Sequence, residues 1–318
     1  MNAHLVVYSF FAIVAVFSVS TFIRVVNSPA YKQKPDQVAI REPGHHTLGI
    51  PKDAAPDARE DLEFALLSQA AYQRTADAQQ VKAGESLDAD ATLESMGWCR
   101  WENFPEGEVK KKVDDVHLRV EVWSNASTKK ISVGFGGTVA RNIKDWRSDL
   151  RWFIPAKQDE YTVIVKTFGK AFIEEYRKRI SGPKCEFPEG AALFSTGHSL
   201  GGGLAHQFAY ALPPDSEVPR VKKVYAFDPS PVTGFYSVEV GLRTDNSKAL
   251  DIDRIYERGE ILAYFRSLTN FIYPPSASSP TVRQLRYNLF YSHNPFASHS
   301  IADLALKLRD VSVHKPVS

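Results

Sequence analysis

Apolar and polar side chains alternate along one stretch of the chain. Val116, Leu118, Val120 and Val122 fall on one side, and His117, Arg119, Glu121 and Trp123 on the other, the two-residue period of a half-buried strand. After a polar turn, Lys130–Phe135 reads as a second strand, closed by Gly136-Gly137. The period then changes. Tyr161, Ile164, Val165, Phe168, Phe172, Tyr176 and Ile180 recur every three or four residues and predict a long helix. An apolar strand over Ala191–Thr196, a helix from Leu200 to about Leu212 and a strand over Val221–Phe227 follow. Short strands are expected at Ile252–Tyr256 and Leu285–Phe290, and a terminal helix carries Ile301, Leu304, Ala305 and Leu308. An earlier helix is predicted to open at Asp57, whose spacing to Glu60 is that of a capping box, with Leu62, Ala65, Leu66, Ala70 and Tyr72 on its apolar face. Strands alternating with helices of these lengths predict an α/β fold, a mostly parallel sheet with helices on both faces. In such folds ligands gather at the carboxyl ends of the strands.

The first thirty residues differ from the rest. Leu5–Ile23 carries no charge, and as a helix it spans about 28 Å, the hydrocarbon thickness of a bilayer. Its hydroxyl side chains form no stripe that water would wet. Residues 1–26 therefore predict a transmembrane anchor, single-pass through residues 5–23, or a signal segment. If the segment is cleaved, the body is secreted or periplasmic. Arg24, Lys32, Lys34 and Arg41 all follow the span and favour a cytoplasmic body, although large domains override that bias and the side stays open. Pro29, Pro35, Pro43, Pro51 and Pro56 leave no apolar period in residues 27–56, which read as a Pro-rich linker. His45-His46 within it read as polar filler. Residues 57–318 are left as one large domain.

Composition narrows the functions. With 39 basic and 37 acidic residues the formal charge is +2, which excludes nucleic-acid binding by counterion release. The one dense basic run, Lys110-Lys111-Lys112, precedes Asp114-Asp115 and reads as a solvated turn. Two cysteines, Cys99 and Cys185, build neither a disulfide framework nor a four-thiolate metal site, and one bridge between them is left open.

The chemistry concentrates where the strand Ala191–Thr196 runs into Gly197-His198-Ser199-Leu200-Gly201-Gly202-Gly203 and a helix. This is the G-x-S-x-G nucleophile elbow in its strand–turn–helix setting. Side-chain atoms at Gly197 or Gly201 would collide with neighbouring chain, and the turn lifts the Ser199 hydroxyl clear of the sheet. His198, adjacent to the serine in a sharp turn, points away and is assigned a structural role. His206 reads as a packing or surface residue.

These residues resemble the class 3 (fungal-type) lipase family of the α/β-hydrolase superfamily. Gly197–Gly202 matches the family's G-H-S-L-G-G. Val133-Gly134-Phe135-Gly136-Gly137-Thr138, followed by Asp145-Trp146 and Asp149-Leu150, resembles its F-R-G-T/S segment and the downstream D-W…D-L. The likeness spans roughly residues 59–310. Gly136 departs from the pattern, standing where the family usually has arginine, and residues 229–250 lack the family's usual continuation.

The resemblance implies an α/β-hydrolase fold and hydrolysis of carboxylic esters without metal or organic cofactor, the partners being a lipid or ester substrate and, through the N-terminal helix, a membrane. It assigns one oxyanion donor to the backbone N–H of Thr138, and the elbow assigns another to Leu200. Trp146, Trp152, Phe153 and Ile154 read as core or as an apolar rim. The base is expected at His299, which resembles the family's histidine position, with His293 in reserve. The orienting acid is expected at Glu260, then Asp228, then Glu257, in the chain order Ser…acid…His. A phospholipase, a non-lipid esterase and a non-catalytic binding module remain as alternatives.

Overall fold

The computed structural model describes residues 32–73, 87–137, 163, 167–180, 190–230, 233–259, 275–290 and 300–313. Among these, the elements run β1 (Gln37–Arg41), β2 (Lys52–Asp53), α1 (Ala55–Gln73), α2 (Ala89–Ser95), β3 (Trp98–Arg100), α3 (Gly107–Asp115), β4 (Arg119–Asn125) and β5 (Lys130–Gly136). Next come α4 (Gly169–Ile180), β6 (Ala192–His198), α5 (Leu200–Ala211), β7 (Val221–Phe227) and a 3-10 turn at Phe235–Ser237. The chain continues through α6 (Val240–Ser247), β8 (Asp251–Glu257), β9 (Thr281–Asn288) and α7 (Ile301–Val313).

The strands form one nine-stranded sheet in the order β2-β1-β9-β8-β7-β6-β5-β4-β3. The run from β5 through β9 is parallel, and both flanks are antiparallel. Helices cover both faces. Against one, α1 and α7 bury Phe64, Leu67, Leu304 and Leu308 on Phe194, Tyr225, Phe227 and Tyr287. Against the other, α5 and α4 bury Leu204, Phe208 and Phe172 on Val133, Phe135 and Val224. The parallel strands register so that Phe135 pairs with Gly197, His198 with Phe227, and Phe227 with Ile255. Their carboxyl ends therefore align, and the connections after β5, β6, β7, β8 and β9 leave one edge of the sheet together.

Four expectations change. The stretch 27–56 is not a plain linker from residue 37 on, because β1 pairs residue for residue with β9 over Gln37–Arg41 and β2 pairs with β1. Proline spacing hid a five-residue strand too short to show a period. The first helix opens at Ala55 rather than Asp57. Asp53 accepts the Ala55 N–H (3.1 Å), while Asp57 forms an ion pair with Lys52 at 2.8 Å. The run Lys110-Lys111-Lys112 is helical rather than a turn, since Lys110 pairs with Asp114 one turn on and Lys111 with Glu108 one turn back. That helix displaces the start of β4 to Arg119.

The apolar span 5–23 lies outside the described residues, among which no helix is long and apolar enough to cross a membrane. Cys99 is an exposed free thiol, and Cys185 also lies outside the described residues.

Candidate active site

Ser199 occupies the single residue between β6 and α5. Its backbone sits at φ 56°, ψ −121°, a conformation that strains any residue with a side chain. Strain of this kind persists only where the surroundings enforce it, and here they do. The Ser199 N–H donates to the Phe227 carbonyl (2.9 Å), and its own carbonyl accepts from Gly202 (3.1 Å) and Ser230 (3.0 Å). A Cβ at Gly197 would overlap the Gly201 carbonyl, and one at Gly201 would overlap the Phe135 carbonyl. The two glycines flanking the elbow are thus required by close backbone approach, as the sequence predicted.

The strand behind the elbow is pinned on both faces. Ser195 Oγ donates to the Ala205 carbonyl of α5 (3.0 Å). Thr196 Oγ1 lies 2.7 Å from Ser68 Oγ of α1 and within 3.1 Å of the Phe64 carbonyl. Leu200 is the first residue of α5, so its N–H has no carbonyl one turn earlier within the helix to donate to.

His198 faces Tyr72 and Asp228. Its Nδ1 lies 3.3 Å from Tyr72 Oη, and its Nε2 lies 3.9 Å from an Asp228 carboxyl oxygen. His206 is fully buried and its Nδ1 lies 2.6 Å from the Gly202 carbonyl, one turn away. Burial lowers its pKa from 6.5 to about 3, so the ring is neutral and Nδ1 carries the donated proton.

The acid candidates separate. Asp228 is fully buried at the end of β7, with φ 41° and its N–H donated to the Ile255 carbonyl (2.7 Å), directly beside the bonds that hold Ser199. Glu257 serves otherwise. Its Oε1 and Oε2 accept the Leu289 N–H at 3.0 and 3.1 Å, and Oε1 accepts the Phe290 N–H at 3.3 Å. Burial pushes its carboxyl up to about 8, against the pull of those amides. A carboxyl that is protonated near neutral pH and committed to main-chain donors is a brace for the chain leaving β9, not the partner of an imidazolium. Glu260, His293, His299, Thr138 and the aromatic run Trp146, Trp152, Phe153 and Ile154 lie outside the described residues. The chain leading to Glu260 and to both histidines departs from the same sheet edge as Ser199.

Gly136 stands where space is short. It faces Arg119 across the β4–β5 ladder, and a Cβ there would come to 2.9 Å from Arg119 Cβ and 2.8 Å from the Ala71 carbonyl. Tyr72, which its spacing places on the apolar face of the first helix, turns its hydroxyl to His198. The cue was a lone phenol ending a stripe of Ala and Leu. Among the described residues no group of three His, Cys, Asp or Glu side chains is placed to hold a metal ion.

No family model matches the chain, and no curated protein matches it. Solved structures do. The Rhizomucor miehei lipase in its propeptide complex is 16% identical at a TM-score of 0.40, over 70% of this chain and 65% of that chain. Lip2 lipase from Yarrowia lipolytica is 15% identical at a TM-score of 0.42, over 66% of this chain and 75% of that one. A triacylglycerol lipase from Penicillium expansum is 16% identical at a TM-score of 0.36, over 64% and 72%. These three solved structures, to which the chain is similar, are lipases.

Proposed function

We propose that this protein is a serine hydrolase that cleaves carboxylic esters, lipid esters foremost, and is tethered to a membrane by residues 5–23. The observation that carries the reading is the strained backbone of Ser199 between a parallel strand and a helix, enforced on every side by main-chain bonds and by glycines that admit no side chain. A fold bears such strain where a reactive group must be presented.

In this reading Ser199 Oγ attacks the ester carbonyl carbon while His299 takes its proton. The oxyanion accepts the N–H groups of Thr138 and Leu200. As the tetrahedral species collapses, the proton passes to the leaving alkoxide, and Ser199 is left acylated. Water then attacks the acyl carbon with the same imidazole as base, releasing the acid and restoring the serine. Glu260 holds the imidazole: it follows β8, two strands along the sheet from β6, and leaves Asp228, one strand away, as the second candidate. His293 stands in reserve for the base. The lipid preference rests on the motif resemblance, and a phospholipase differs from it only in pocket shape.

A fluorophosphonate probe tests the chemistry directly. Labelling of Ser199 is expected, and Ser199→Ala is expected to abolish it with loss of turnover on the order of 10⁶-fold. A folded protein that takes no label would make a lipid- or protein-binding module the better account. For the acid, Glu260→Ala and Asp228→Ala are compared. Loss confined to the Asp228 variant overturns the assignment of Glu260.

A further inference from the structure

A single glutamine fastens the chain where it enters the domain. Gln33 is buried, and both ends of its side-chain amide are engaged. Nε2 donates to the Gln37 carbonyl (2.7 Å) and the Arg286 carbonyl (2.8 Å), and Oε1 accepts from Arg286 Nε (3.1 Å). The main-chain carbonyl of Gln33 accepts from Arg258 Nη1 (2.9 Å) and Asn288 Nδ2 (3.1 Å). All but the bond to Gln37 reach residues at the ends of β8 and β9, so the chain is fixed ahead of the strand β1 itself.

β1 runs antiparallel to β9 and pairs Gln37 with Asn288, the last residue of β9. β6, β7, β8 and β9 run parallel, so Asn288 marks the same edge of the sheet at which β6 delivers Ser199. From β1 the sheet order passes β9, β8 and β7 to reach β6. That is about 19 Å at ~4.8 Å per strand. The corner at Gln33 is basic: Lys32 and Lys34 are exposed beside Arg258 and Arg286, with the exposed Asp36 among them.

Ile23, the end of the apolar span, precedes Gln33 by so few residues that the fully extended chain between them reaches only about 35 Å. The domain that follows is on the order of 50 Å across. A body fastened this close to a membrane is not free to turn its opposite edge, where β7 and β8 begin, toward the lipid. We infer that the carboxyl edge of the sheet is the face turned to the bilayer, and that Ser199 acts on ester lipids of the same membrane that holds the chain. The partner of this face is a lipid surface, and its basic corner suits anionic headgroups. The inference rests on the proposed tether through residues 5–23 and deepens the hydrolase reading by naming the source of the substrate.

The test uses the full chain in vesicles of phosphatidylcholine and phosphatidylserine. A fluorogenic ester lipid in the same vesicles is expected to be hydrolysed at least about 10-fold faster than the same lipid in separate vesicles. A flexible Gly/Ser insertion of about 20 residues between Asn27 and Ser28 roughly triples the tether, and the same-vesicle rate is expected to fall about fivefold. Turnover of a soluble short-chain ester is expected to stay unchanged. A same-vesicle rate that ignores the insertion overturns the inference, while soluble-ester turnover keeps the hydrolase reading. A membrane-impermeant amine reagent reads the orientation without any turnover. Lys32 and Lys34 are expected to react several-fold more slowly than Lys222 and Lys248, which are exposed at the opposite edge. Equal reaction at the two edges overturns the inference. If native Ser199 takes no fluorophosphonate and no ester is hydrolysed while Lys32 and Lys34 are protected, the hydrolase reading fails and the orientation stands. A chain that stays in the aqueous phase without detergent removes the tether and overturns the inference with it.

Discussion

His206 shows how a single side chain in the helix after Ser199 sets a limit on the conditions the fold tolerates. It is neutral in the folded state, with its pKa lowered from 6.5 to about 3 by burial and by the nearby Arg254 charge. The unfolded chain therefore binds more protons between these values, and stability falls as pH drops through 6.5 toward 3. Thermal melts across that window are expected to show a flatter acid limb in His206→Asn than in the native protein, even though the variant leaves a small void. An unchanged slope would place the acid sensitivity elsewhere. At this scale the strained turn at Ser199 was legible because its requirements are written as absences of side chains at Gly197 and Gly201. The acid was not. Asp228, Glu257 and Glu260 are chemically alike, and only the amide donors of Leu289 and Phe290 disclose that Glu257 is committed to the main chain. Tyr72 was concealed for a related reason: its hydroxyl reaches His198, more than a hundred positions away, and spacing carries no trace of that.

Among the elements, α1 departs most from a surface helix. A stripe of apolar positions predicts one wet face, yet Asp61, Glu63, Ser68 and Gln69 are buried along with Phe64, Leu66 and Leu67. The sheet lies on one side of the helix and α7 and α2 on others, and several of its polar groups reach distant partners. Tyr287 donates to Asp61 (2.6 Å), Lys130 pairs with Glu63, and Gln69 donates to the Leu87 carbonyl (2.8 Å). Asp61 and Tyr287 are both fully buried, and burial raises the pKa of each. Tyr287→Phe removes the donor and leaves a buried carboxyl unpartnered on that side, an expected loss of about 1–3 kcal/mol in denaturant titration. A loss below a few tenths would mean that water or a shift of α1 replaces the phenol. Helix and strand types were legible from period for β5, β6, β7 and α5, which are flanked by clear turns. The short α2, α3 and β3 were not, because their residues make local ion pairs or lie on the antiparallel flank, where few positions repeat.

For the molecule as a whole, the N-terminal part of the described chain is structural rather than a spacer. β1 covers the outer edge of β9 with a full antiparallel ladder, its Val38 and Ala39 are buried, and Arg41 donates to Gln284 at 2.9 Å. A shortened chain beginning at residue 58, which the proline spacing would recommend, strips this strand and the opening of α1. It is expected to aggregate or melt well below a chain beginning at residue 32, since a bare strand edge invites pairing with other copies. Equal melting temperatures would show that β9 needs no cover.

That same ladder has a bearing on biogenesis. Residues that leave the ribosome early in the domain find their strand partner some 240 positions later, and Arg59 of α1 donates to the Ser312 carbonyl at a still greater separation. The sheet cannot close until β9 has been made. Its assembly waits on partners more than two hundred residues away, and loop-closure entropy makes such non-local pairing slow. If residues 5–23 do hold the nascent protein at a bilayer, the waiting strand is held beside the lipid surface until its mate arrives.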